Sequence, residues 1–246
     1  MLSFIVPAYN EELELPATLS AIHAAAKTVR EPYEIIVVDD ASTDATARIA
    51  QSAGAVVVSV HHRQIAAVRN AGARAARGDV LFFVDADTRI SSAHVSGARA
   101  ALAAGCAGGS ARGAMDGPVP LWGRVFLHVF SAFYFTVANL GAGAFLFTTR
   151  ENFEAAGGFD PQLFAGEEIY FSQALKKLGR FRVLAEPMVT SGRKLRMHSA
   201  RQILGLSVGI ILRGKQGVRS RDKLDLWYDG RRETKVRESA TRHTKA

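Results

Sequence analysis

The sequence predicts an α/β fold with a mostly parallel central sheet and helices on both faces. In the first ninety residues, short apolar runs alternate with stretches of helical periodicity, which is typical of βαβ units. Two of the apolar runs end directly in paired carboxylates. Because parallel strands deliver such residues to one edge of the sheet, a ligand site is predicted there.

The chain is long enough for one large domain with a sizeable core. It has 246 residues, of which 48% are hydrophobic and 22% charged, as in ordinary globular proteins. The single cysteine, Cys106, excludes a disulfide framework and a cysteine-rich zinc site. Residues 2–6 are apolar and no basic segment precedes them, so we expect no secretory signal peptide and a cytoplasmic location.

The first strand is predicted over residues 2–6 and ends at Pro7, which has no backbone N–H for the ladder. A loop follows over residues 7–12, in which Asn10 is the predicted cap of the next helix. One face of that helix carries three apolar residues at i, i+4 and i+7, namely Leu15, Leu19 and Ile22.

The second strand is predicted over residues 34–38 and ends in the acidic pair Asp39 and Asp40. Ser42 is the predicted N-cap of a helix that ends near residue 52. Gly54 then suits the left-handed conformation that follows the last turn of many helices.

The fourth strand carries the second acidic pair. A third strand over residues 55–60 and a helix over residues 66–76 precede it, and the fourth strand is predicted over residues 80–84. Asp85 and Asp87 follow at once. Hard carboxylate ligands suit a Mg²⁺ or Mn²⁺ ion that bridges to substrate phosphates. The two acidic pairs therefore indicate a nucleotide-phosphate site at this edge of the sheet.

Four short motifs follow one another along the first ninety residues: Val6-Pro7-Ala8-Tyr9-Asn10-Glu11-Glu12, Val37-Val38-Asp39-Asp40-Ala41-Ser42-Thr43-Asp44, Arg69-Asn70-Ala71-Gly72 and Asp85-Ala86-Asp87. In this order they resemble the motifs of the family 2 glycosyltransferases, whose GT-A fold has a Rossmann-like, mostly parallel sheet. The resemblance covers roughly residues 1–192. A dehydrogenase is disfavoured, because no Gly-x-Gly-x-x-Gly turn follows the first strand.

The resemblance implies a nucleotide-diphosphate sugar as donor, typically a UDP-sugar. Asp39 resembles the carboxylate that accepts a hydrogen bond from the base, and Arg69 resembles the basic residue near the diphosphate. Asp85 looks like a ribose or sugar contact, and Asp87 like a ligand of the Mg²⁺ or Mn²⁺ ion. The implied donor-binding set is Pro7, Ala8, Tyr9, Glu11, Asp39, Asp40, Arg69, Asp85, Ala86 and Arg193.

A basic turn lies near the end of the resemblance. Residues 190–194 are similar to a turn of some small family members, in which Arg193 would clamp the diphosphate when a flexible end closes. His198 is a candidate metal ligand beside Asp85 and Asp87, although a lone histidine is more often merely exposed.

The acceptor half contains the predicted catalytic residues. A helix over residues 93–103, a Gly- and Ala-rich strand and a turn over residues 157–160 lead to Glu167 and Glu168. These two glutamates resemble the acidic motif in which the second member is the general base. The family usually has an aspartate there, so both glutamates stay candidates. They begin a predicted helix, whose dipole favours ionised carboxylates.

Two apolar segments bear on membrane contact. Residues 121–137 are rich in aromatic residues at helical spacing, near the short limit for a bilayer span, and contain Arg124 and His128. Residues 203–212 are apolar, shorter still, and flanked by Lys and Arg. We therefore expect peripheral contact with the inner face of a membrane. Packing on the domain core or in a homodimer is the competing interpretation.

The net charge of +8 arises mainly after residue 212, where 11 basic and 5 acidic residues lie. Such a tail suits anionic lipid, and no nucleic-acid partner is expected. We divide the chain into a GT-A domain, residues 1–198, and a C-terminal extension, residues 199–246, with an apolar helix and a basic tail. The domain consists of a nucleotide-binding half, residues 1–90, and an acceptor half, residues 91–198.

The sequence thus predicts an inverting, metal-dependent glycosyltransferase that moves a sugar from a nucleotide-diphosphate donor to an acceptor hydroxyl or a lipid-linked acceptor. The alternative is a non-catalytic nucleotide-binding or scaffolding protein with the same fold. A nucleotidyltransferase is a third interpretation, but the Gly-rich basic loop usual in that class is missing from the sequence.

Overall fold

A mixed eight-stranded sheet organises the computed structural model, which describes residues 1–197, 199–202, 205 and 214–219. Both acidic pairs of the sequence lie at the carboxyl ends of strands in this sheet. In chain order the strands are β1 (Leu2–Ala8), β2 (Tyr33–Asp40), β3 (Val56–Val60), β4 (Val80–Val84), β5 (Thr88–Arg89), β6 (Cys106–Met115), β7 (Phe145–Thr149) and β8 (Arg180–Thr190).

The strand order is β3-β2-β1-β4-β7-β6-β8-β5. The first four strands in that order are parallel, as predicted for the nucleotide-binding half. In the rest of the sheet, β6 and β8 are parallel, whereas β7 runs antiparallel to both β4 and β6, and β5 runs antiparallel to β8. The chain order reverses at β1, between β2 and β4, and open α/β sheets bind ligands at such a point.

Helices cover both faces of the sheet, as the sequence predicts. They are α1 (Leu15–Lys27), α2 (Thr46–Ser52), α3 (Ile65–Ala75), α4 (Ser92–Ala103), α5 (Leu121–Ser131), α6 (Arg150–Ala155), α7 (Glu167–Leu178) and α8 (Arg193–Met197). One face packs against α1 and α4 and the other against α3, α6 and α7. The residues of β4 are all buried because its two faces contribute to both apolar clusters.

The two predicted helix caps near the start of the chain are wrong. Asn10 has a positive φ of 51° and α1 begins only at Leu15. The side-chain oxygen of Asn10 accepts a hydrogen bond from the backbone N–H of Thr43 at 2.8 Å. The backbone N–H of Asn10 donates to Ser42 Oγ at 2.9 Å. Because α2 starts at Thr46, Ser42 also lies too early to cap it. These side chains instead join the loops after β1 and β2.

Two further elements differ in detail from the prediction. Residues 121–137 are not one regular helix, since α5 passes into a π-helical stretch, Ala132–Val137. The predicted short closing strands near residues 181–190 are one strand, β8, whose pairing with β6 shifts register between Ala111 and Gly113.

In the part of the chain that the structure describes, no helix has the length and apolar character needed to cross a membrane. His198 and the apolar stretch 203–212 lie outside the described residues, except for Gly205. The tail after residue 219 lies outside them as well.

Candidate functional site

The carboxyl ends of β1, β2 and β4 meet at one edge of the sheet. Ala8 pairs with Asp39 in the parallel register of β1 and β2, and β4 lies on the other side of β1. This brings the loop after β1 beside the first acidic pair and next to Asp85. The sequence predicts from the strand ends that these residues meet. The parallel register explains why, because it aligns the carboxyl ends of neighbouring strands.

The two aspartates at the end of β2 face different partners. Asp39 is 6% exposed, and its Oδ1 atom has no hydrogen-bond partner among the described residues. Asp40 Oδ1 accepts the backbone N–H groups of His62 at 2.7 Å and Arg63 at 3.0 Å. Asp40, expected among the donor contacts, therefore uses this oxygen to hold the loop before α3. The buried Oδ1 atom of Asp39 can therefore accept a hydrogen bond from a ligand.

Arg63, which is not among the predicted site residues, lies over the ring of Tyr9. The Arg63 guanidinium carbon lies 3.5 Å from the centre of the Tyr9 ring. Arg63 has a positive φ of 50°, and its backbone is fixed by Asp40. No local signal distinguishes Arg63 from the other surface arginines, because the contact joins two separate loops.

Arg69 is buried inside the protein, at 2% exposure. Its guanidinium donates to Asp85 Oδ1 at 2.8 Å, to the carbonyl oxygen of Gly143 at 2.8 Å, and to Glu167 Oε1. Burial by itself would lower the pKa of Arg69, but the charges of Asp85 and Glu167 outweigh it and raise the pKa. The expectation placed Arg69 near a diphosphate. In the structure its guanidinium links the end of β4 to the start of α7, and its place near a diphosphate stays a prediction.

Arg193, at the start of α8, bridges two acidic residues of the nucleotide-binding half. Its guanidinium donates to both carboxylate oxygens of Glu11, at 2.8 and 2.7 Å. The same group lies 3.2 Å from Asp87 Oδ2. Burial would lower the pKa of Arg193, but the hydrogen bond to Glu11 and the charge of Asp87 raise it. The predicted basic turn and the predicted metal ligand are thus in direct contact.

Glu167 and Glu168 begin α7, after Gly166 in the left-handed conformation. Burial raises the pKa of both carboxyl groups, and their mutual repulsion raises that of Glu168 further, to about 8. The expectation that the helix dipole keeps both carboxyl groups ionised is therefore wrong for Glu168, because desolvation is the larger effect. Glu167 is paired with Arg69, whereas Glu168 is half-buried and Gly143 leaves space beside its carboxyl group.

A divalent ion fits this edge only with help from a substrate. Among the described residues, no three His, Cys, Asp or Glu side chains form a metal-binding group. Asp87 already faces a cation, Arg193, and Asp85 has one oxygen bound to Arg69. Mg²⁺ sites in phosphate-transferring proteins commonly use one or two carboxylates plus the phosphates themselves. Asp87, together with a diphosphate, meets that description.

Solved structures share this fold. S. aureus TarS 1-349 in complex with UDP-GlcNAc matches with a TM-score of 0.61 at 17% identity, over 93% of this chain and 70% of that one. The mannosyltransferase PcManGT from Pyrobaculum calidifontis, in complex with GDP-Man and Mn²⁺, matches with a TM-score of 0.61 at 23% identity, over 85% of this chain and 64% of that one. At these identities the likeness concerns the fold, which is the predicted GT-A fold.

Relatives in sequence match over a shorter stretch of the chain, and the match spans less than a third of their own length. An undecaprenyl-phosphate 4-deoxy-4-formamido-L-arabinose transferase of Pseudomonas fluorescens (strain Pf0-1) is 40% identical over 93 residues. This match covers 35% of the chain and only 27% of that protein. The family model for glycosyl transferase family 2 matches residues 3–138, more than half of the chain. With its GT-A fold and these motifs, the chain belongs to glycosyl transferase family 2.

Proposed function

We propose that this protein is an inverting glycosyltransferase that uses a nucleotide-diphosphate sugar, with a UDP-sugar as the preferred donor class. The observation that carries the proposal is the chain of contacts from the sheet edge to α7. Asp85 follows β4, Arg69 binds it from the protein interior, and Glu167 binds the other side of the same guanidinium. One buried cation thus connects Asp85, the proposed donor contact, with Glu167, a member of the proposed acid pair, and this connection supports the proposal.

The general base in this proposal is Glu168. Glu167 is engaged by Arg69, so its carboxylate is committed to a structural ion pair. Glu168 is half-buried beside Gly143, and its pKa of about 8 suits a base near neutral pH. Glu168 would take the proton of an acceptor hydroxyl as that oxygen attacks the anomeric carbon of the sugar. The nucleotide diphosphate would leave on the opposite side, which inverts the configuration at that carbon.

The remaining residues bind the donor. The free oxygen of Asp39 would accept a hydrogen bond from the nucleobase, and the Tyr9 loop would lie against the base and ribose. Asp87 would hold a Mg²⁺ or Mn²⁺ ion, with Asp85 beside it. When bound, the ion would neutralise the negative charge that develops on the leaving diphosphate. Arg193 lies beside Asp87 and would contribute positive charge to the same group. His198, outside the described residues, remains a further candidate ligand.

The acceptor in this proposal is lipid-linked and held at a membrane surface. The relative named above is an undecaprenyl-phosphate sugar transferase, and this chain has exposed apolar side chains in residues 121–137. Leu121, Phe133 and Val137 are 74%, 62% and 72% exposed. Peripheral contact at the inner face of the membrane would bring such an acceptor to α7. Burial of the same residues in a homodimer is the rival explanation.

A panel of UDP-sugars and GDP-sugars, each assayed with Mn²⁺, with Mg²⁺ and with EDTA, tests the proposed function. We expect nucleotide release from at least one donor in the presence of metal, and none with EDTA. Transfer of the labelled sugar to a polyprenyl phosphate or a glycolipid then identifies the acceptor class. Binding of nucleotide without turnover of any donor would support the non-catalytic alternative instead.

A further inference from the structure

Residues 214–219 lie against the loop that precedes the acid pair, although they belong to the C-terminal extension. Residues 214–217 form one helical turn, and the next residue, Val218, is 1% exposed. Its side chain packs with Leu163 and Ala165, which are 0% and 4% exposed. This small apolar cluster is separate from the two clusters that flank the sheet.

Polar contacts fix the same segment to the loop. The backbone N–H of Phe164 donates to the carbonyl oxygen of Val218 at 2.8 Å. Lys215 Nζ lies 2.8 Å from Asp160 Oδ2 and 5.3 Å from the centre of the Tyr170 ring. The bond from Lys215 also lowers the pKa of the Asp160 carboxyl group. The segment therefore holds the loop at both of its ends.

Helix α3 holds the opposite side of this loop, residues 159–166. The Asn70 side chain accepts the backbone N–H of Phe159 at 3.0 Å and donates to its carbonyl oxygen at 2.7 Å. Gln64, whose side chain caps α3, donates to the carbonyl oxygen of Leu163. The loop is thus enclosed between α3, in the nucleotide-binding half, and the segment from the C-terminal extension.

We propose that residues 214–219 form a clasp that positions the acid pair, with Val218 and Lys215 as positioning residues. The loop leads through Gly166 directly into Glu167 and Glu168. A displaced loop would therefore shift the carboxyl groups relative to Arg69 and the donor edge. Misplacement of a reacting group by about 1 Å can lower a rate on the order of 100-fold. The role in catalysis rests on the proposed function, whereas the clasp rests on the contacts alone.

Hydrogen exchange of the full chain tests the clasp without any substrate. Val218→Asp places a charge in the apolar cluster, and Gln216→Asp places the same charge on an exposed residue two positions away. We expect the amides of residues 159–169 to exchange about 10-fold faster in Val218→Asp, because local opening becomes easier. The amides of β1, β2 and β4 should keep their rates in both variants. Unchanged exchange of the loop in Val218→Asp would overturn the proposal.

Lys215→Asp and its combination with Asp160→Lys give a second, milder test. The single variant should loosen the loop by placing two acids together, and the double variant should restore its exchange rates by reversing the ion pair. If the double variant is no better than the single one, Lys215 has no positioning role. This comparison remains informative even if Val218→Asp does not fold.

The catalytic consequence is measured by UDP release from the UDP-sugar panel and by calorimetry with UDP and Mn²⁺. In Val218→Asp we expect kcat to fall about 10-fold or more while the KM for the donor stays within about two-fold, because the acid pair moves and the donor edge does not. A rise in KM with unchanged kcat would contradict the clasp. If the wild-type protein turns over no UDP-sugar, the proposed function fails, and the exchange experiments still decide the clasp.

Discussion

Arg193 and Glu11 form a bidentate ion pair across 182 residues of sequence, with both carboxylate oxygens within 2.8 Å of the guanidinium. The pair joins the basic turn after β8 to the loop after β1. Because Asp87 contacts the same guanidinium, three predicted donor-site residues share one charge network. We therefore expect the residues around Asp87 to respond to added cations.

Replacing Arg193 with Ala should make the fold less stable and more responsive to divalent metal. Two partly buried carboxylates would lose their common cation, which should cost about 1–3 kcal/mol. Mn²⁺ alone should then raise the Tm of Arg193→Ala more than that of the wild-type protein. Thermal unfolding with and without added Mn²⁺ measures this difference in Tm. Arg99→Ala, which removes a surface ion pair with Glu31, is the control and should show no such difference.

Asp87→Ala should abolish metal-dependent binding of the nucleotide while leaving the fold intact. Arg193 keeps its pair with Glu11 in this variant, so no buried charge is left alone. Calorimetric titration with UDP and Mn²⁺ should show at least a 10-fold loss of affinity, or roughly 1.4 kcal/mol. Asp79→Ala is the matched control, since Asp79 is exposed and pairs only weakly with the N-terminus. Equal affinity in Asp87→Ala and wild type would remove Asp87 from the metal site.

Glu168→Gln should lose turnover and keep donor binding. Glutamine has the shape of glutamate but accepts no proton, so we expect kcat to fall by about 100-fold or more. Glu167→Gln breaks the pair with Arg69 and should disturb stability as well as turnover. Nucleotide release and UDP calorimetry on both variants separate the two effects. Normal turnover in Glu168→Gln together with inactivity in Glu167→Gln would transfer the role of base to Glu167.

The stability of the protein should fall as pH rises through the range from 4.5 to about 8, owing to Glu168. Above pH 4.5 the unfolded chain releases the proton of this carboxyl group, whereas the folded protein keeps it up to a pH of about 8. The protonated carboxyl group therefore contributes its full stability below pH 4.5, and this contribution is lost as the pH rises to about 8. The glutamine side chain of the Glu168→Gln variant cannot ionise. At pH 9 without metal, it should be more stable than wild type by about 1–2 kcal/mol, a Tm gain of a few degrees. At pH 4 the two proteins should unfold at the same temperature, and a difference that does not change with pH would contradict the assignment.

Anionic vesicles should bind the protein in low salt, and binding should weaken as salt is added. Flotation with anionic and neutral vesicles measures this. Changing Leu121, Phe133 and Val137 together to Asp should reduce binding, because these exposed apolar side chains would enter the interface. Val56→Asp, on the edge strand β3, introduces a charge at another exposed apolar residue and serves as the control. Absence of vesicle binding, with dimers seen in solution, would favour the subunit interface.

Much of the fold follows from local patterns in the sequence. An apolar run such as residues 80–84 forms a buried strand, because removing its side chains from water contributes most of the stabilising free energy. Asp85 and Asp87 come directly after that strand in the sequence, so their position at the edge of the sheet could be predicted. The helix that begins at Glu167 is likewise visible in its periodicity. These features depend on neighbours along the chain.

Tertiary structure decides the contacts and charges of the site. Arg69 donates a hydrogen bond to Glu167, which is 98 residues away in the sequence. No local pattern indicates that this arginine is buried. Burial beside Glu167 also raises the pKa of Glu168, which reverses the expectation from the helix dipole. Asn10, a good helix cap by residue type, instead binds the loop after β2. Desolvation and ion pairing depend on which distant segments the packed chain brings together, and the local sequence does not contain that information.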